Sequence, residues 1–237
     1  FLREVHLRPD NPADAQFQPG CYLQLHVPEY ELPRSALWHP DEHREDWKPL
    51  PLPATLQNKA SVRRSYSLAM PVTATEGELV LLARFSPGWQ ENKRHPPGKG
   101  STWLYTLREG DRVRYSGPFG DFALSGVERE KVFIGAGAGM APLRAMIQQR
   151  LEEGGGERIH YWYGARNRRD CPYAEQMQAL MQLDRLLDSL PSRARAAFLL
   201  SQLDGMKQAD IAAELKLSLA TVQRHIARAA HCCFFGA

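Results

Sequence analysis

Cysteine is scarce in this chain and long apolar runs are absent, and each shortage closes a class of function. The four cysteines, Cys21, Cys171, Cys232 and Cys233, fall at no metal-ligand spacing, and the adjacent pair cannot readily bridge to itself. Neither a disulfide framework nor a cysteine-held metal is expected, and a reduced, cytoplasmic protein is the default. The histidines His6, His26, His39 and His43 are scattered without ligand spacing, so no metal site is expected from them. No apolar stretch approaches the roughly 18–20 residues that span a bilayer, and no secretory leader opens the chain. The expectation is therefore a chain with no membrane segment. Its first residue is Phe1 and a strand-like pattern follows at once, so we expect the natural beginning to lie upstream. Internal repeats are lacking. Net charge is small too, +3 over 237 residues, too little by itself to argue for nucleic acid.

What is present is an ordinary globular composition, 43% hydrophobic and 24% charged, which excludes wholesale disorder. The length suffices for one large domain or two to three small ones. Three blocks of different rhythm follow one another. Up to about residue 125 the chain is β-rich: "CYLQLHV", "VRRSYSLAM" and "ELVLLARF" alternate apolar and polar residues or carry β-branched side chains. Residues 28–60 interrupt this block with a stretch dense in proline and charge, which predicts a long functional or mobile loop. Its "REDWK" segment most simply predicts a solvated surface. From residue 131, "KVFIGAG", "APLRAMIQQRLEE" and "RIHYWYG" spell strand, helix and strand, with "GGG" breaking the helix, and so predict a βαβ unit with a parallel sheet. Beyond residue 177 only amphipathic helices are predicted.

Several short motifs carry chemistry. In "RRSYS", Arg64 can fork two hydrogen bonds onto a phosphate, Tyr66 two residues on lies on the same strand face, and Ser67 offers a hydroxyl beside it. Taken alone, the same pattern also fits a half-exposed strand. "PPGKGSTWLYTL" sets Gly98, Gly100, Ser101 and Thr102 just before an apolar helical run, and a helix N-terminus with free N–H groups suits a phosphate. "SGPFGDF", at 116–122, predicts a tight glycine–proline turn. "GAGAGMAP" follows a strand and opens a helix, as a dinucleotide phosphate turn must. It departs from the ordinary G-x-G-x-x-G fingerprint, because Met140 stands where the third glycine would be and Gly139 comes one place early. A purely structural glycine turn remains the alternative. Cys171, after the "YGAR" strand end, is expected to be incidental.

In this order the motifs resemble the ferredoxin-reductase superfamily, and most of all the FAD and NADH part of the F subunit of the sodium-translocating NADH:quinone reductases. "GCYLQL", "RSYSLA", "PPGKGSTWL", "SGPFGDF", "VFIGAGAGMAPLRAM" and "YWYGARNRRD" carry the resemblance over residues 1–176, and so does the insert with "DEHREDWKPL". It implies an antiparallel β-barrel FAD domain over 1–127 with its insert at 28–60, then a truncated α/β nicotinamide domain, a βαβ unit, over 128–176. Arg64 would hold FAD phosphate, Tyr66 would stack on the isoalloxazine, and Ser67 would hydrogen-bond near flavin N5. These last two are the implied catalytic residues. Gly98, Ser101 and Thr102 would meet the pyrophosphate, while Gly135, Gly137, Gly139 and Pro142 would form the turn that admits NADH. Hydride would pass from nicotinamide to flavin, and electrons onward to an iron–sulfur or quinone acceptor on electron-transfer partner subunits; the resembled reductase sits on the cytoplasmic side of the inner membrane. The iron–sulfur domain and the second half of the nicotinamide domain have no counterpart in these residues.

The last block reads differently. "KQADIAAEL" places Ile211, Ala212 and Leu215 on one face; Ser218 can cap the next helix, from which Val222 and Ile226 point inward. Thr221, Gln223, Arg224, His225 and Arg228 would then face outward, able to reach base edges and phosphates. This predicts a C-terminal all-α helix-turn-helix over 177–237, with 219–230 as recognition helix. Simple helix packing is the alternative. Residues 183–233 resemble region 4 of extracytoplasmic-function sigma factors of the iron-uptake type, which implies contact with the −35 promoter element and with RNA polymerase. Local charge is modest, with Asp184, Asp188, Asp204, Asp210 and Glu214 offsetting the arginines, so weak and salt-sensitive DNA binding is expected. The expectation is thus a multidomain flavin oxidoreductase, truncated and fused to a DNA-binding tail. The alternative is a transcription module with a non-catalytic flavin-domain appendage.

Overall fold

The computed structural model describes residues 1–41, 44–88, 95–126, 129–153, 158–166, 170–202 and 205–235. His43, Asp204, the "GGG" break and residues 167–169 of "YGARNRRD" lie outside the described residues, as do the side chains of Asp184, Asp188, Cys232 and Cys233. The chain divides into two compact units, Phe1–Pro172 and Tyr173–Ala237. The residues expected as a β domain and as a βαβ unit thus share the first unit.

Alternation builds the centre of the first unit. Strand β2 (Tyr22–Val27) buries Leu23, Leu25 and Val27 completely and turns Tyr22, Gln24 and His26 the other way, as a period of two requires. It pairs antiparallel with β5 (Val62–Ser67) on one side and β7 (Tyr115–Phe119) on the other. Strand β1 (Leu2–Leu7) pairs antiparallel with β6 (Leu79–Arg84), and a single bridge between Leu68 and Leu81 ties this pair to the end of β5. The described pairings therefore run β1–β6–β5–β2–β7 as an open array. The "SGPFGDF" segment, expected as a tight turn, supplies most of β7 instead: it leaves Ser116 beside Gln24 and Phe119 beside Tyr22, and its Gly117–Pro118 bond is cis.

The 28–60 insert is the largest departure from expectation. It contains a two-stranded antiparallel pair, β3 (Tyr30–Pro33) with β4 (Thr55–Asn58), and the single-turn helix α1 (Arg44–Trp47). Charges of "REDWK" do face solvent, but Trp47 is only 6% exposed and joins the core with Leu37, Leu52 and Leu56. Its ring lies 4.7 Å from that of Phe85, 5.6 Å from Tyr105 and 5.2 Å from Phe1. The Arg34 guanidinium closes the segment by donating to the carbonyls of Trp47 and Lys48. Proline density hid this from the pattern, because each proline removes an N–H donor and breaks the period while leaving the buried aromatic free to anchor the chain.

The second half of this unit is a βαβ unit as expected. Strands β8 (Lys131–Ala136) and β9 (Ile159–Gly164) run parallel, with helix α3 (Met140–Glu152) between them in sequence. Helix α3 buries Met140, Leu143, Met146 and Ile147, and Phe133 is buried on β8. The opposite sheet face is open. Ile134 and Trp162, directly opposite one another in register, are 76% and 67% exposed, and Val132 is 59% exposed. The unit is fastened to the β array at Gly20, where a Cβ would lie 1.7 Å from the Phe122 carbonyl oxygen and 2.5 Å from Met146. With φ at +98°, that position tolerates only glycine.

In the second unit, helices α4 (Ala174–Asp188), α5 (Ser192–Gln202), α6 (Gln208–Glu214) and α7 (Leu219–Phe235) follow one another. Two small clusters hold them: Leu190, Phe198 and Ala229, and Ala197, Ile211 and Val222, with Ile226 packed against both. Helix α6 ends in a left-handed Lys216, φ +52°, after which the Leu217 N–H reaches back to the Ala212 carbonyl.

A solvated 28–60 loop and a core-forming one differ measurably. Trp47→Ala is expected to cost about 3–5 kcal/mol of stability in urea unfolding, as for other buried tryptophans. A solvated tryptophan would change it by no more than about 0.5 kcal/mol.

Candidate functional site

The residues of "RRSYS" occupy β5, where Arg64 pairs in register with Leu25, Tyr66 with Leu23 and Ser67 with Tyr22. Arg64 is exposed and Tyr66 half-buried against the core. Burial pushes the Tyr66 hydroxyl up to about 12, partly countered by the adjacent Arg64 and reinforced by Tyr30. It stays a neutral donor at physiological pH. Ser67 lies beside an aromatic edge: Tyr22 stands opposite it, and the Phe119 ring is 5.8 Å from that of Tyr22.

Helix α2 (Lys99–Leu104) meets this strand at Gly100. A Cβ there would fall 2.9 Å from Arg64 Cγ, 2.9 Å from the Tyr66 hydroxyl and 3.2 Å from Arg64 Cβ. The glycine is what lets the two segments touch. Gly98 is the N-cap of α2, and its own N–H donates to the Ser86 carbonyl. The Ser101 hydroxyl donates to the Gly98 carbonyl and accepts from the Ser86 N–H, so it clamps the turn. Thr102 is 1% exposed, and its N–H donates to the Gly98 carbonyl. Both hydroxyls, expected to meet a pyrophosphate, are thus buried in the fold. Sequence reasoning missed Tyr30, whose hydroxyl donates to the Lys99 carbonyl at 2.9 Å and ties β3 to the start of α2.

The second glycine turn runs from β8 through a single 3-10 turn, Gly137–Gly139, into α3. Gly135 packs closely on α3, since a Cβ would lie 2.7 Å from Leu143 Cδ1, the tip of a side chain that would have to shift. Gly137 is left-handed at φ +55°, and its carbonyl accepts the Tyr163 hydroxyl at 2.9 Å. Gly139 faces open space. Met140, at the place of the missing third glycine, is fully buried, with the Tyr161 hydroxyl 2.9 Å from its sulfur. Pro142 sits in the first turn of α3, where its lack of an N–H costs nothing. Burial raises the Tyr161 and Tyr163 hydroxyls, with Cys171 nearby adding to both. Arg84, at the end of β6, was not singled out from sequence, yet its Nη1 would lie 3.2 Å from a Cβ at Gly137. No local pattern could have revealed that approach, because it is set by the register of β6.

The tail residues separate by exposure. Gln223, Arg224 and Arg228 are exposed on α7, whereas Thr221 and His225 are half-buried. The Ser218 hydroxyl accepts from the Thr221 N–H at 3.2 Å and lies 2.8 Å from the Thr221 hydroxyl, so it caps α7 as expected. Val222 is fully buried.

Comparison with known proteins supports both resemblances. Residues 133–195 match the model of the oxidoreductase NAD-binding domain, and residues 180–233 match that of sigma-70, region 4. Over 185 residues, 77% of this chain, the sequence is 34% identical to the F subunit of the Na(+)-translocating NADH-quinone reductase of Pseudoalteromonas haloplanktis, covering 60% of that protein. It is 36% identical over 183 residues to the corresponding F subunit of Methylococcus capsulatus, covering 45% of it. The chain thus spans about half the length of these relatives. Among solved structures, the FAD/NAD-binding domain of nitric oxide dioxygenase from Vibrio cholerae superposes with a TM-score of 0.52 at 21% identity, over 76% of this chain and 63% of that one. A ferredoxin-NADP+ reductase of Plasmodium falciparum gives 0.54 at 15% identity, over 76% and 59%. The fold is that of the ferredoxin-reductase-like FAD/NAD-binding domains. No helix among the described residues is long and apolar enough to cross a membrane.

The close approach at Gly100 predicts a position-specific cost. Gly100→Ala is expected to destabilise the protein by about 1–3 kcal/mol through overpacking against Arg64 and Tyr66. Gly126→Ala, where a Cβ meets nothing within 4 Å, serves as the control in the same urea titration and is expected to leave the midpoint in place.

Proposed function

We propose that residues 1–172 form the FAD- and NADH-handling module of a flavin oxidoreductase, in which the open antiparallel array serves as the FAD barrel domain. The observation that carries this is the convergence at Gly100, where the R-x-Y-S strand and the G-x-x-S helix meet without an intervening side chain. The residues present fit the flavin. Arg64 spends one Nη1 bond on the Arg63 carbonyl and is otherwise directed to solvent, so its remaining fork can take a phosphate. Tyr66 offers an aromatic face with a hydroxyl that stays protonated. Ser67 follows Tyr66 at the end of the strand, opposite Tyr22 on the alternate face, and the first turn of α2 closes on Arg64 through Gly100. FAD, when bound, supplies two-electron acceptance from NADH and onward electron release to an iron–sulfur or quinone acceptor on partner subunits. The chain's own part is to bind, orient and exclude water.

The Gly135–Gly137–Gly139 turn with Pro142 would receive the nicotinamide dinucleotide. Its supporting sheet has only two strands among the described residues, so we expect NADH affinity to be lower than in a full nicotinamide domain. The test is direct. Protein incubated with FAD and freed of excess should retain flavin, and anaerobic NADH should bleach its visible band. Arg64→Ala should lower flavin retention at least tenfold, in keeping with the loss of a charge-assisted phosphate contact. A chain that takes up no FAD would remove the proposal.

A second reading rests on the tail. The capped helix α7, with Gln223, Arg224 and Arg228 exposed, fits a sigma region 4-like recognition helix fused to the flavin module. It would engage −35-type promoter DNA and RNA polymerase. A gel-shift titration with a −35-like duplex should show salt-sensitive binding that Arg224→Ala weakens about tenfold; undiminished binding by that variant would place the contact elsewhere.

A further inference from the structure

On strand β1, Glu4 and His6 stand at alternate positions on the solvent-facing side, and Arg8 continues the row just past the strand. Leu7 pairs with Leu79 on β6, so Glu78 enters that strand opposite Arg8. The His6 ring is thereby set between two carboxylates. Its Nε2 lies 2.8 Å from Glu4 Oε1 and its Nδ1 3.0 Å from Glu78 Oε2, while Arg8 donates to the other Glu78 oxygen at 2.8 Å. Glu4 has a second partner. Its Oε2 accepts from Arg144 of helix α3 at 3.4 Å, and the same Arg144 nitrogen donates to the Ala69 carbonyl. The Arg144 side chain is only 11% exposed, so its charge needs that carboxylate held in place. At the far end of α3, the Thr73 hydroxyl donates to Glu152.

Only an imidazolium carries an N–H donor on both ring nitrogens. Whichever proton is lost, the ring is no longer charged, and Glu4 is left with a weaker hydrogen bond or with a lone pair facing it. We propose that His6 is a proton-dependent latch on α3: its imidazolium holds Glu4 in place for Arg144, and the neutral ring lets that hold slacken. Burial alone would push the imidazole down, but its hydrogen bonds to Glu4 and Glu78 outweigh that, and it titrates above its ordinary value. The latch is therefore fully present below the unfolded value of about 6.5 and is lost as pH rises through the higher folded one. Glu78, held down by its hydrogen bonds from His6 and Arg8, sets the acid limit. Its contribution stands above about pH 4.3 and is lost as pH falls through the lowered value. Because α3 opens directly from the Gly137–Gly139 turn, that turn loosens with it. Resting on the reading of this turn as a nucleotide site, the latch also makes nucleotide affinity fall toward alkaline pH.

The test follows the full chain by proton NMR and by amide hydrogen exchange, with rates corrected for their intrinsic pH dependence. The His6 ring is expected to titrate above about 6.5, and Glu4→Gln to bring it down. Between about pH 6 and about pH 8.5 the α3 amides should lose about twofold to fivefold in protection, the worth of a partly exposed ion pair. Those of β2 should hold. His6→Gln, which cannot take a charge, should show the weaker α3 protection at both pH values. A His6 ring that titrates at or below about 6.5, or an α3 response that persists in His6→Gln or is shared by β2, would overturn the latch. NAD+, whose diphosphate does not titrate in this range, is the nucleotide probe. Its affinity should fall with α3 protection in the wild type and stay level in His6→Gln. If NAD+ binds equally at both pH values while the α3 amides respond, the latch stands and its nucleotide consequence is wrong. If NAD+ does not bind at all, the nucleotide reading of the turn fails, and the amides still decide the latch.

Discussion

Strand β6 is buried on both faces, and the arrangement of the first unit follows from that constraint. One face supplies Leu79, Leu81 and Ala83 to the β core; the other buries Val80 and Leu82. A strand wetted on neither side must be apolar at nearly every position, as "LVLLAR" is, and it can give up that rule only at its end. Arg84 stands at that end. Because the Leu68–Leu81 bridge fixes β6 to β5, and the Gly137 turn abuts Arg84, the two glycine-rich sites are held by the same strand. A slip of one residue would put Ala83 or Phe85 beside the Gly137 turn and send the arginine toward the core face, so the register of this strand is tightly fixed.

Much of this was legible in the order of residues. The alternation of "CYLQLHV" and "ELVLLARF" marked β2 and β6, and the change of rhythm at residue 131 marked the βαβ unit. The turn chemistry placed both glycine motifs at helix entries. What the pattern could not carry were contacts between segments far apart in sequence. The 28–60 insert looked like a loop because its buried residues, Leu37, Trp47, Leu52 and Leu56, are spaced by chain reversals rather than by a period. Ser101 and Thr102 looked available because a motif states which residues follow a glycine, not which way a helix turns them. Arg84 and Tyr30 act across sequence distances that no local window spans.

The chemistry of the two units differs in kind. The first offers a tyrosine hydroxyl held neutral by burial, an exposed arginine beside it and two glycine turns, the groups on which the proposed flavin and nucleotide sites rest. The second offers a capped helix with a polar face and two small apolar clusters, suited to reading a surface. The two family models overlap over residues 180–195, within α4 and α5. Both descriptions therefore lay claim to the same amphipathic stretch, which a helix on the outside of an α/β sheet and a helix in a small bundle can satisfy with one apolar stripe.

The two-stranded sheet of β8 and β9 has a consequence for how evenly the first unit holds together. Strand β2 is hydrogen-bonded along both edges, to β5 and to β7. Each strand of the β8–β9 pair is bonded along one edge alone among the described residues, and Ile134 and Trp162 gain little from burial on the outer face. Local opening there breaks fewer ladder bonds than opening β2 does. A nucleotide seated on that turn would therefore act first as a brace: its binding energy would go into keeping closed a sheet bonded along fewer edges than β2, and occupancy and local order would rise together.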